Sequence, residues 1–343
     1  MVVKQQTTEE EEARQIKLRR GTVIGNGWVV QRRLGEGGCG VVYEVQQQQS
    51  KYRAALKVEP ISADKDDEIL RMEVFVLRKM KGAKHSCRIL SSGRTHAFNY
   101  VIMSLVGDNL SELRKSCPEQ AFSLSSAIRL VIQCLDAIKT VHEAGFVHRD
   151  IKPSNFALGA SKSTANIVFI LDFGLARQYE LRTKDGRKIL RQPRSGVPFR
   201  GTVRYCSVGV HGRLEHGRHD DLWSLLYMSI EFIRGRLPWY HKEKEETLEI
   251  KLSLPYKKMF ENCPDELINI HKHLVTLTYS HRPDYLLIRK ELSAVIIRNK
   301  FNWNDPFDWQ EGGAFHDHFK ANNSISISCD DSETVFSDAS VTA

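Results

Sequence analysis

Apolar and polar residues follow different patterns in the two halves of the chain. Short runs with strand character fill residues 28 to about 103, and one segment with helical spacing, residues 67–80, interrupts them. Longer helical patterns follow, and the one that begins at Asp221 is apolar nearly all round, as expected in the middle of a lobe. The predicted helices of this second part cover residues 124–144, with Ser125 as N-cap, 221 to about 234, 264–278 and 284–299.

These patterns predict an α+β fold with two lobes inside one domain, residues 21–310. The N-lobe, about 21–105, is expected to be small and β-rich with one main helix. The C-lobe, about 106–310, is expected to be larger and mostly helical. Internal repeats are absent from the sequence.

The two ends of the chain are polar. Residues 1–20 contain a run of glutamates followed by basic residues, and residues 311–343 are rich in Ser, Thr and Asp. Such segments bury too little apolar surface to fold, so we expect a disordered N-terminal arm and a disordered tail. A docking role for the arm and self-phosphorylation of the tail are the alternatives to segments without a role.

Composition narrows the class of protein. The chain has 343 residues, of which 41% are hydrophobic and 27% charged, as is ordinary for a globular protein in water. Its seven cysteines form no CxxC pair, and no apolar run reaches the roughly 20 residues that span a bilayer. With no signal peptide in view, we expect a monomer in the cytoplasm, with the nucleus as the alternative, and no membrane binding.

The formal net charge of +8 favours acidic partners. Nucleic acid is one candidate, and acidic or phosphorylated protein is another. The sequence contains no recognisable groove-reading helix or RNA-binding motif, so we do not expect nucleic acid as a partner.

The sequence HRDIKPSN at residues 148–155 carries the chemistry. It follows an apolar helical run and precedes a short strand that ends in DFG. Phosphoryl transfer needs an acceptor hydroxyl beside a carboxylate and metal-bound phosphates held still. Asp150 is expected to take the hydroxyl proton, Lys152 to neutralise the transferring group, and Asn155 and Asp172 to hold Mg²⁺. This combination is a protein kinase signature.

A glycine-rich stretch, GEGGCG at residues 35–40, lies between two strand-like runs. That setting favours a hairpin folded over the phosphates of ATP, because backbone N–H groups approach phosphate closely only where no Cβ intervenes. Cys39 at its tip is expected to be a small hydrophobe, with a reactive thiol as the alternative.

Lys57 and Glu73 are expected to form an ion pair. Lys57 lies on a strand, and Glu73 lies among the apolar residues of the 67–80 helix, where a buried carboxylate needs a partner. The pair would direct the Lys57 ammonium at the ATP phosphates. Residues 104–107 are the expected connector that offers backbone groups to adenine. The predicted ATP-binding residues are Leu34, Gly35, Glu36, Gly37, Gly38, Cys39, Gly40, Val42, Ala55, Lys57, Glu73, Met103, Ser104, Val106 and Asp172.

Taken together, these motifs resemble the casein kinase 1 superfamily of protein Ser/Thr kinases, and within it the tau-tubulin kinase group. The resemblance covers roughly residues 21–310 and includes the stretches ALKVE, LDFGLARQY, FRGTVRY, GRHDDLWS and LPW. It implies the bilobal protein kinase fold, ATP and Mg²⁺ as cofactors, and cytoskeletal proteins among the substrates. SVG at residues 207–209 stands where most kinases have APE, and Ser104 stands where an acidic or amide residue is frequent.

The segment between Asp172 and Ser207 carries nine basic residues. The resemblance implies an anion site beside Thr202, formed by Arg204 and Lys242. We therefore expect a preference for acidic or already phosphorylated substrates. Thr183 and Ser195 are the only Ser or Thr residues between Gly174 and Gly201, so we expect activity without phosphorylation of this segment, although Arg149 could bind a phosphate.

Three other classes are the alternatives. A kinase-fold binding module without activity usually lacks at least one of Lys57, Glu73, Asp150, Asn155 and Asp172, and all five are present here. A kinase of small molecules would not share the stretch at residues 219–224. The assignment to a nucleic-acid-binding protein would rest on net charge alone.

Overall fold

The N-lobe is built on a six-stranded antiparallel sheet. The computed structural model describes residues 16–37, 40–61 and 69–322 of the chain. Within them the strand order is β1-β2-β3-β4-β6-β5. The strands are β1 (Val23–Ile24), β2 (Trp28–Gly37), β3 (Gly40–Gln47), β4 (Arg53–Pro60), β5 (Ile89–Arg94) and β6 (Phe98–Ser104).

β4 is covered on both faces, so every residue from 54 to 59 is buried. One face packs against the cluster that contains Trp28, Val45 and Ile102. The other faces helix α1 (Ile69–Lys79), which buries its apolar side. The register between β2 and β3 shifts twice, after Val30 and after Arg33. Such bulges bend a strand and increase its twist, so the hairpin curls over the cleft.

The C-lobe is mostly helical, as the sequence predicts. α3 packs against both α5 and α9, and nearly all of α5 is buried. The helices are α2 (Leu110–Lys115), α3 (Leu124–Glu143), α4 (Val208–His211), α5 (Arg218–Arg234), α6 (Lys244–Ser253), α7 (Tyr256–Met259), α8 (Glu266–Leu274), α9 (Tyr285–Arg298) and α10 (His316–Asn322). The bilobal α+β prediction is confirmed.

The N-terminus of α3 differs from the prediction. Its N-cap is Ser123 and not Ser125, because the Ser123 hydroxyl accepts a hydrogen bond from the N–H of Ser126. Asp308, 185 positions away, accepts from the hydroxyl and the N–H of Ser123. A contact of that range is invisible to a search for local capping signals.

Short strands place the chemical motifs at the cleft. β9 (Phe156–Gly159) pairs with β10 (Val168–Ile170), so Asn155 before β9 and Asp172 after β10 emerge at the same edge. β7 (Val106–Asn109) joins the other side of β9. Two further antiparallel pairs follow: β8 (Phe146–Val147) with β11 (Arg177–Gln178), and β12 (Glu180–Arg182) with β13 (Lys188–Leu190).

Both predicted domain boundaries need correction within the described residues. The Tyr43 hydroxyl donates to the carbonyl of Ile16 (2.8 Å) and accepts from the N–H of Leu18 (3.1 Å), so the chain is ordered before residue 21. At the other end, α10 lies wholly beyond residue 310, and its Phe319 is buried against Trp309. Apolar residues within segments that are polar overall explain both errors. Residues 1–15 and 323–343, where the rest of the arm and tail predictions fall, lie outside the described residues.

Among the described residues, one helical stretch is long and apolar enough to cross a membrane, Pro118–Glu143. It includes α3, and 72% of its most apolar window is buried inside the protein. Core helices of globular proteins pass the same test, so the stretch is weak evidence for a membrane span.

We predict that Arg129→Ala lowers the free energy of unfolding by about 3 kcal/mol, because it removes a buried guanidinium together with its hydrogen bonds to three backbone carbonyls and its packing on Phe307. The buried Arg129 guanidinium donates to the carbonyls of Trp303, Asp305 and Pro306 and lies 4.4 Å from the Phe307 ring centroid. Urea unfolding measures the change. The exposed Lys139→Ala is the control, with an expected loss of about 0.5 kcal/mol or less; equal losses in the two variants would contradict the prediction.

Candidate active site

The cleft between the lobes is organised by an ion triad. The Lys57 Nζ lies 2.6 Å from Glu73 Oε2 and 3.2 Å from Asp172 Oδ1. Burial raises the pKa of Glu73, and the Lys57 ammonium offsets only part of that effect. Burial also acts to raise the pKa of Asp172, but Lys57, His148 and the Gly174 N–H together outweigh burial, and the net shift of the pKa is downward. The predicted Lys57–Glu73 pair is present, and Asp172 is kept as the anion that a metal ligand must be.

Helix α1 is held to β4 at a second point that the sequence analysis missed. The buried Glu59 carboxylate accepts from the N–H of Ile69 (2.7 Å) and from that of Leu70 (3.1 and 3.2 Å). A carboxylate at the first N–H groups of a helix satisfies donors that lack an intrahelical partner. Lys57 and Glu59 share one face of β4 because they are two residues apart. The ALKVE motif therefore fixes both the middle and the N-terminus of α1.

Asp150 is positioned from two sides. Its Oδ2 lies 2.6 Å from the Lys152 Nζ, and its Oδ1 accepts from the Thr202 hydroxyl at 2.7 Å. The Asn155 side-chain N–H₂ donates to the Asp150 carbonyl at 2.8 Å. The three predicted catalytic residues and Thr202 thus form one cluster. Gly201 must be glycine here: its φ is +97°, and a Cβ would lie 2.5 Å from the Arg149 carbonyl oxygen.

The backbone of the catalytic loop is fixed by Asp221, a residue whose role the sequence analysis did not identify. The fully buried carboxylate accepts from the N–H of His148 (2.7 Å) and of Arg149 (2.9 Å). Burial acts to raise the pKa of Asp221, but the hydrogen bond with His142 and the His216 ring, whose Nε2 lies 3.3 Å from Asp221 Oδ1, hold it well below its usual range. A signal was present in the sequence, since an acid that opens a helix with no polar face needs partners inside the protein.

Two non-glycine residues of the site have left-handed backbones. Arg149 has φ of 70° and Asp172 has φ of 62°. Such conformations are uncommon for residues with a Cβ and are retained where the surroundings determine them. The Nε of Arg149 donates to the Leu175 carbonyl at 2.6 Å, which joins the catalytic loop to the segment after Asp172.

The nucleotide side of the cleft has the predicted walls. Ala55 and Met103 are buried in it, and the glycine-rich stretch forms the β2–β3 hairpin. A Cβ at Gly35 would meet no atom within 4 Å, so the space beside this backbone is open, as a phosphate needs. Gly38 and Cys39 lie outside the described residues. The remaining predicted residues of these walls are Leu34, Glu36, Gly37, Gly40, Val42 and Val106.

Ser104 is used within the protein. Its N–H donates to the Arg88 carbonyl at 2.9 Å, and its hydroxyl accepts from the Arg88 N–H at 3.0 Å. The Ser104 N–H is therefore unavailable to adenine, whereas its hydroxyl can still donate a hydrogen bond.

A divalent metal fits between Asn155 and Asp172. The Asn155 N–H₂ group is held by Asp150, which leaves the amide oxygen for a cation beside the ionised Asp172 carboxylate. The described ranges contain no cluster of three or more His, Cys, Asp or Glu side chains suited to a metal. Two oxygen ligands suit a hard cation whose remaining positions are filled by water and phosphate oxygens. Such an ion, when bound, neutralises phosphate charge.

The substrate side is a cavity of about 390 Å³. The predicted anion-binding residues Arg204 and Lys242 line it together with Thr202 and Lys152. Arg204 is partly engaged, because its Nη1 lies 3.4 Å from the buried Glu231 and its guanidinium lies 4.7 Å from the Tyr240 ring centroid. The Lys242 Nζ lies 2.5 Å from Glu246 at the surface.

Comparison with known proteins agrees with this geometry. The family profile described as protein kinase domain matches residues 28–291. The chain therefore belongs to the protein kinase domain family, an ATP- and divalent-metal-dependent family of transferases. Its relatives place it with the serine/threonine protein kinases. A probable serine/threonine-protein kinase of Dictyostelium discoideum is 36% identical over 291 residues, or 84% of this chain and 58% of that protein.

Two Caenorhabditis elegans relatives are covered more completely. A putative serine/threonine-protein kinase is 40% identical over 294 residues, which are 84% of each chain. A putative casein kinase I is 30% identical over 309 residues, which are 88% of this chain and 89% of that protein. The predicted kinase class is confirmed, and a similarity to casein kinase I is present.

We predict that Glu59→Ala lowers kcat/KM for ATP by about 5- to 30-fold, since loss of a helix cap worth about 1–2 kcal/mol loosens α1 and with it Glu73. Steady-state kinetics with varied ATP measure the change. Glu59→Gln keeps a hydrogen-bond acceptor, so its kcat/KM should lie between those of the wild type and Glu59→Ala.

The control for this prediction is Glu44→Gln in the same sheet. Glu44 is equally buried but pairs with Arg32 and Arg53, away from α1. It should lose stability and keep kcat/KM within about twofold. The positioning role of Glu59 is refuted if both variants lose stability alike and neither loses kcat/KM.

Proposed function

We propose that this chain is a casein kinase I-like protein serine/threonine kinase, nearest in its motifs to the tau-tubulin kinase group. It transfers the γ-phosphoryl group of Mg²⁺-ATP to Ser or Thr of protein substrates, with preference for acidic or already phosphorylated segments. The observation that carries the proposal is the Asp150 carboxylate, held between Lys152 and Thr202 at 2.6 and 2.7 Å.

The residues divide the reaction between them. Asp150 orients the acceptor hydroxyl and takes its proton as the hydroxyl oxygen bonds to the γ-phosphorus and the bond from that phosphorus to ADP breaks. Lys152, beside the same carboxylate, offsets the negative charge on the transferring group. Lys57 contacts the phosphates of ATP on the opposite side, and Asn155 and Asp172 hold Mg²⁺. Thr202 keeps Asp150 in place by occupying its second oxygen.

The preference for acidic substrates rests on charge near the acceptor. Arg204 and Lys242 line the cavity that Thr202 and Lys152 share, so a phosphate bound there would lie close to the residue being modified. The ion pairs with Glu231 and Glu246 weaken this attraction without cancelling it, because Lys152 also faces the cavity and the net charge of the chain is +8.

Activity without phosphorylation of the segment after Asp172 is supported by an internal carboxylate. Glu215 is buried, and its oxygens lie 2.6 Å from the Arg194 Nε and 3.5 Å from the Arg177 Nε. Burial, and then repulsion from Arg200 and Arg177, lower the pKa of Arg149 to about 10, which places Arg149 in the same basic cluster. Glu215 thus supplies the negative charge that a phosphate would bring to this cluster.

Substrates and location follow from the resemblance. We propose cytoskeletal proteins as substrates, the cytoplasm as the location with the nucleus as the alternative, and a monomer as the active species. We propose neither nucleic acid nor a membrane as a binding partner.

We predict that an acidic peptide with a phosphoserine near its acceptor is phosphorylated with kcat/KM at least fivefold above its unphosphorylated twin, a difference of about 1 kcal/mol. Lys242→Gln, alone and with Arg204→Gln, should reduce the ratio to below twofold, because the charge that binds the phosphate is lost. The control Lys139→Gln should keep the ratio. Equal kcat/KM for the two peptides would refute the proposed preference for phosphorylated substrates. Phosphate transfer by Asp172→Asn would refute the assignment of the active site.

We predict that Thr183→Ala/Ser195→Ala retains kcat/KM within about twofold, whereas Glu215→Gln loses about tenfold, the equivalent of 1.4 kcal/mol. The reason is that Glu215, and not a phosphate, balances the arginines. Phosphatase-treated protein, verified by mass spectrometry, is assayed in parallel. An inactive double alanine variant, or loss of wild-type activity on phosphatase treatment, would mean that the segment requires phosphorylation.

A further inference from the structure

The C-lobe contains a second and larger cavity of about 620 Å³ between α5, α6, α7 and α8. It shares no lining residue with the substrate cavity and none with the nucleotide walls. We call it the lower-lobe pocket. Its lining residues are Ser207, Val208, Gly209, His219, Asp220, Trp223, Tyr227, Lys251, Leu252, Leu254, Pro255, Tyr256, Met259, His271, Leu274, Val275 and Leu277.

Its rim exposes large apolar side chains. Leu252 is 66% exposed, and Tyr256 and Val275 are each 53% exposed. Deeper in the pocket, Trp223 and Met259 continue the apolar surface. Several exposed apolar residues around one concave surface are typical of a site that another polypeptide segment covers.

A buried polar group in the same pocket lacks a partner. The Nδ1 atom of His271 is buried, and no hydrogen-bond partner for it exists among the residues that the structure describes. The ring stands edge-on to Trp223 and Tyr256, with centroids 5.0 and 4.7 Å away. An unsatisfied buried nitrogen costs about 1–3 kcal/mol, which an oxygen atom of an occupant would recover. The pocket thus combines an aromatic wall with a site for one hydrogen bond.

Three exposed lysines are sequence neighbours of lining residues of the pocket. Lys257 and Lys258 follow Tyr256 at the surface, and Lys272 follows His271. None of the three lysines forms an ion pair within the described part of the chain. Asp220 is the acidic residue of the lining, and its oxygens are already used by the Ser207 hydroxyl and the Gly217 N–H. An occupant with acidic residues beside an apolar side chain therefore fits best.

One segment of this chain outside the described residues has that composition. Residues 330–338, DDSETVFSD, contain four acidic residues and no basic one, and Phe336 is the aromatic residue among them. We propose that this segment docks in the lower-lobe pocket, with Phe336 against the aromatic wall and neighbouring carboxylates toward the three lysines and His271.

The segment can reach the pocket. Ring contacts connect Phe319 of α10 to Phe232 of α5 through Trp309 and Phe122, with neighbouring centroids 6.5, 5.9 and 5.1 Å apart. The pocket begins on α5 at Tyr227, five residues before Phe232, or about 7.5 Å along the helix. The 14 residues from Asn322 to Phe336 can span up to about 45 Å when extended.

Docking would act on the substrate cavity through Lys251. This buried lysine of α6 lines the pocket, and its Nζ donates to the carbonyls of Val203 (2.9 Å) and Cys206 (2.7 Å). Val203 lies between Thr202 and Arg204 in the loop that forms the substrate cavity. An occupant packed on α6 therefore stabilises this loop without competing for the cavity itself.

The test is photo-crosslinking of the full chain with p-benzoyl-phenylalanine in place of Phe336. Crosslinks mapped by mass spectrometry are expected within one molecule, to lining residues of the pocket in the ranges 207–227 and 251–277. Leu252→Glu adds a charge at an exposed position that folding tolerates and should lower the yield at least fivefold. Leu286→Glu, at a 76% exposed leucine of α9 outside the pocket, is the matched control and should leave the yield unchanged.

Each other outcome overturns the proposal. Crosslinks to residues 202–204 or 242 would place the segment in the substrate cavity, and crosslinks only between molecules would assign the pocket to a second copy. Scattered crosslinks would mean that the segment does not dock. Hydrogen–deuterium exchange gives an independent readout: Phe336→Ala should speed exchange in α6 and α8 at least threefold, whereas Val341→Ala should not.

Discussion

The buried charge of Asp221 is the constraint on which the catalytic face depends. A carboxylate removed from water is tolerated only when its oxygens are fully hydrogen-bonded. Asp221 meets that condition by accepting from the backbone of His148 and Arg149 and from the ring of His142. Because these donors include the backbone of the catalytic loop, moving the loop away from α5 would leave the buried Asp221 carboxylate without two of its hydrogen bonds. The positions of Asp150, Lys152 and Asn155 therefore depend on a largely buried helix of the C-lobe.

The N-lobe is held by a different arrangement, since its key helix packs on one face of the sheet. β4 contacts α1 through Lys57 in the middle and Glu59 at the N-terminus, and both residues sit on the same face of the strand. Lys57 also reaches Asp172 across the cleft. One strand thus sets the position of the helix and links the two lobes, so the nucleotide side and the catalytic side are aligned by a single lysine.

The sequence predicted what depends on local pattern and missed what depends on distant contacts. The helices and strands followed from periodicity, and the Lys57–Glu73 pair followed from the high cost of an unpaired buried carboxylate. The role of Ser123 was missed because its partner Asp308 is remote in the sequence. The roles of Glu59 and Asp221 were missed because their partners include backbone N–H groups, those of Ile69 and Arg149, which every residue type except proline has. Phe319 was assigned to a polar tail because its sequence neighbours are mostly hydrophilic. In the structure its ring contacts Trp309.

The left-handed backbone at Arg149 and Asp172 has a consequence for inhibitors. A residue with a Cβ pays roughly 1–2 kcal/mol for that conformation, so the competent arrangement stores strain that the surrounding contacts must offset. A compound that displaces Asp172 from Lys57 and lets its backbone relax releases this strain, which offsets part of the free energy lost with the Lys57–Asp172 ion pair. Ligands that imitate ATP leave the strain in place and gain nothing from it. The strained and the relaxed backbone of Asp172 are therefore distinct targets for inhibitors within one cleft.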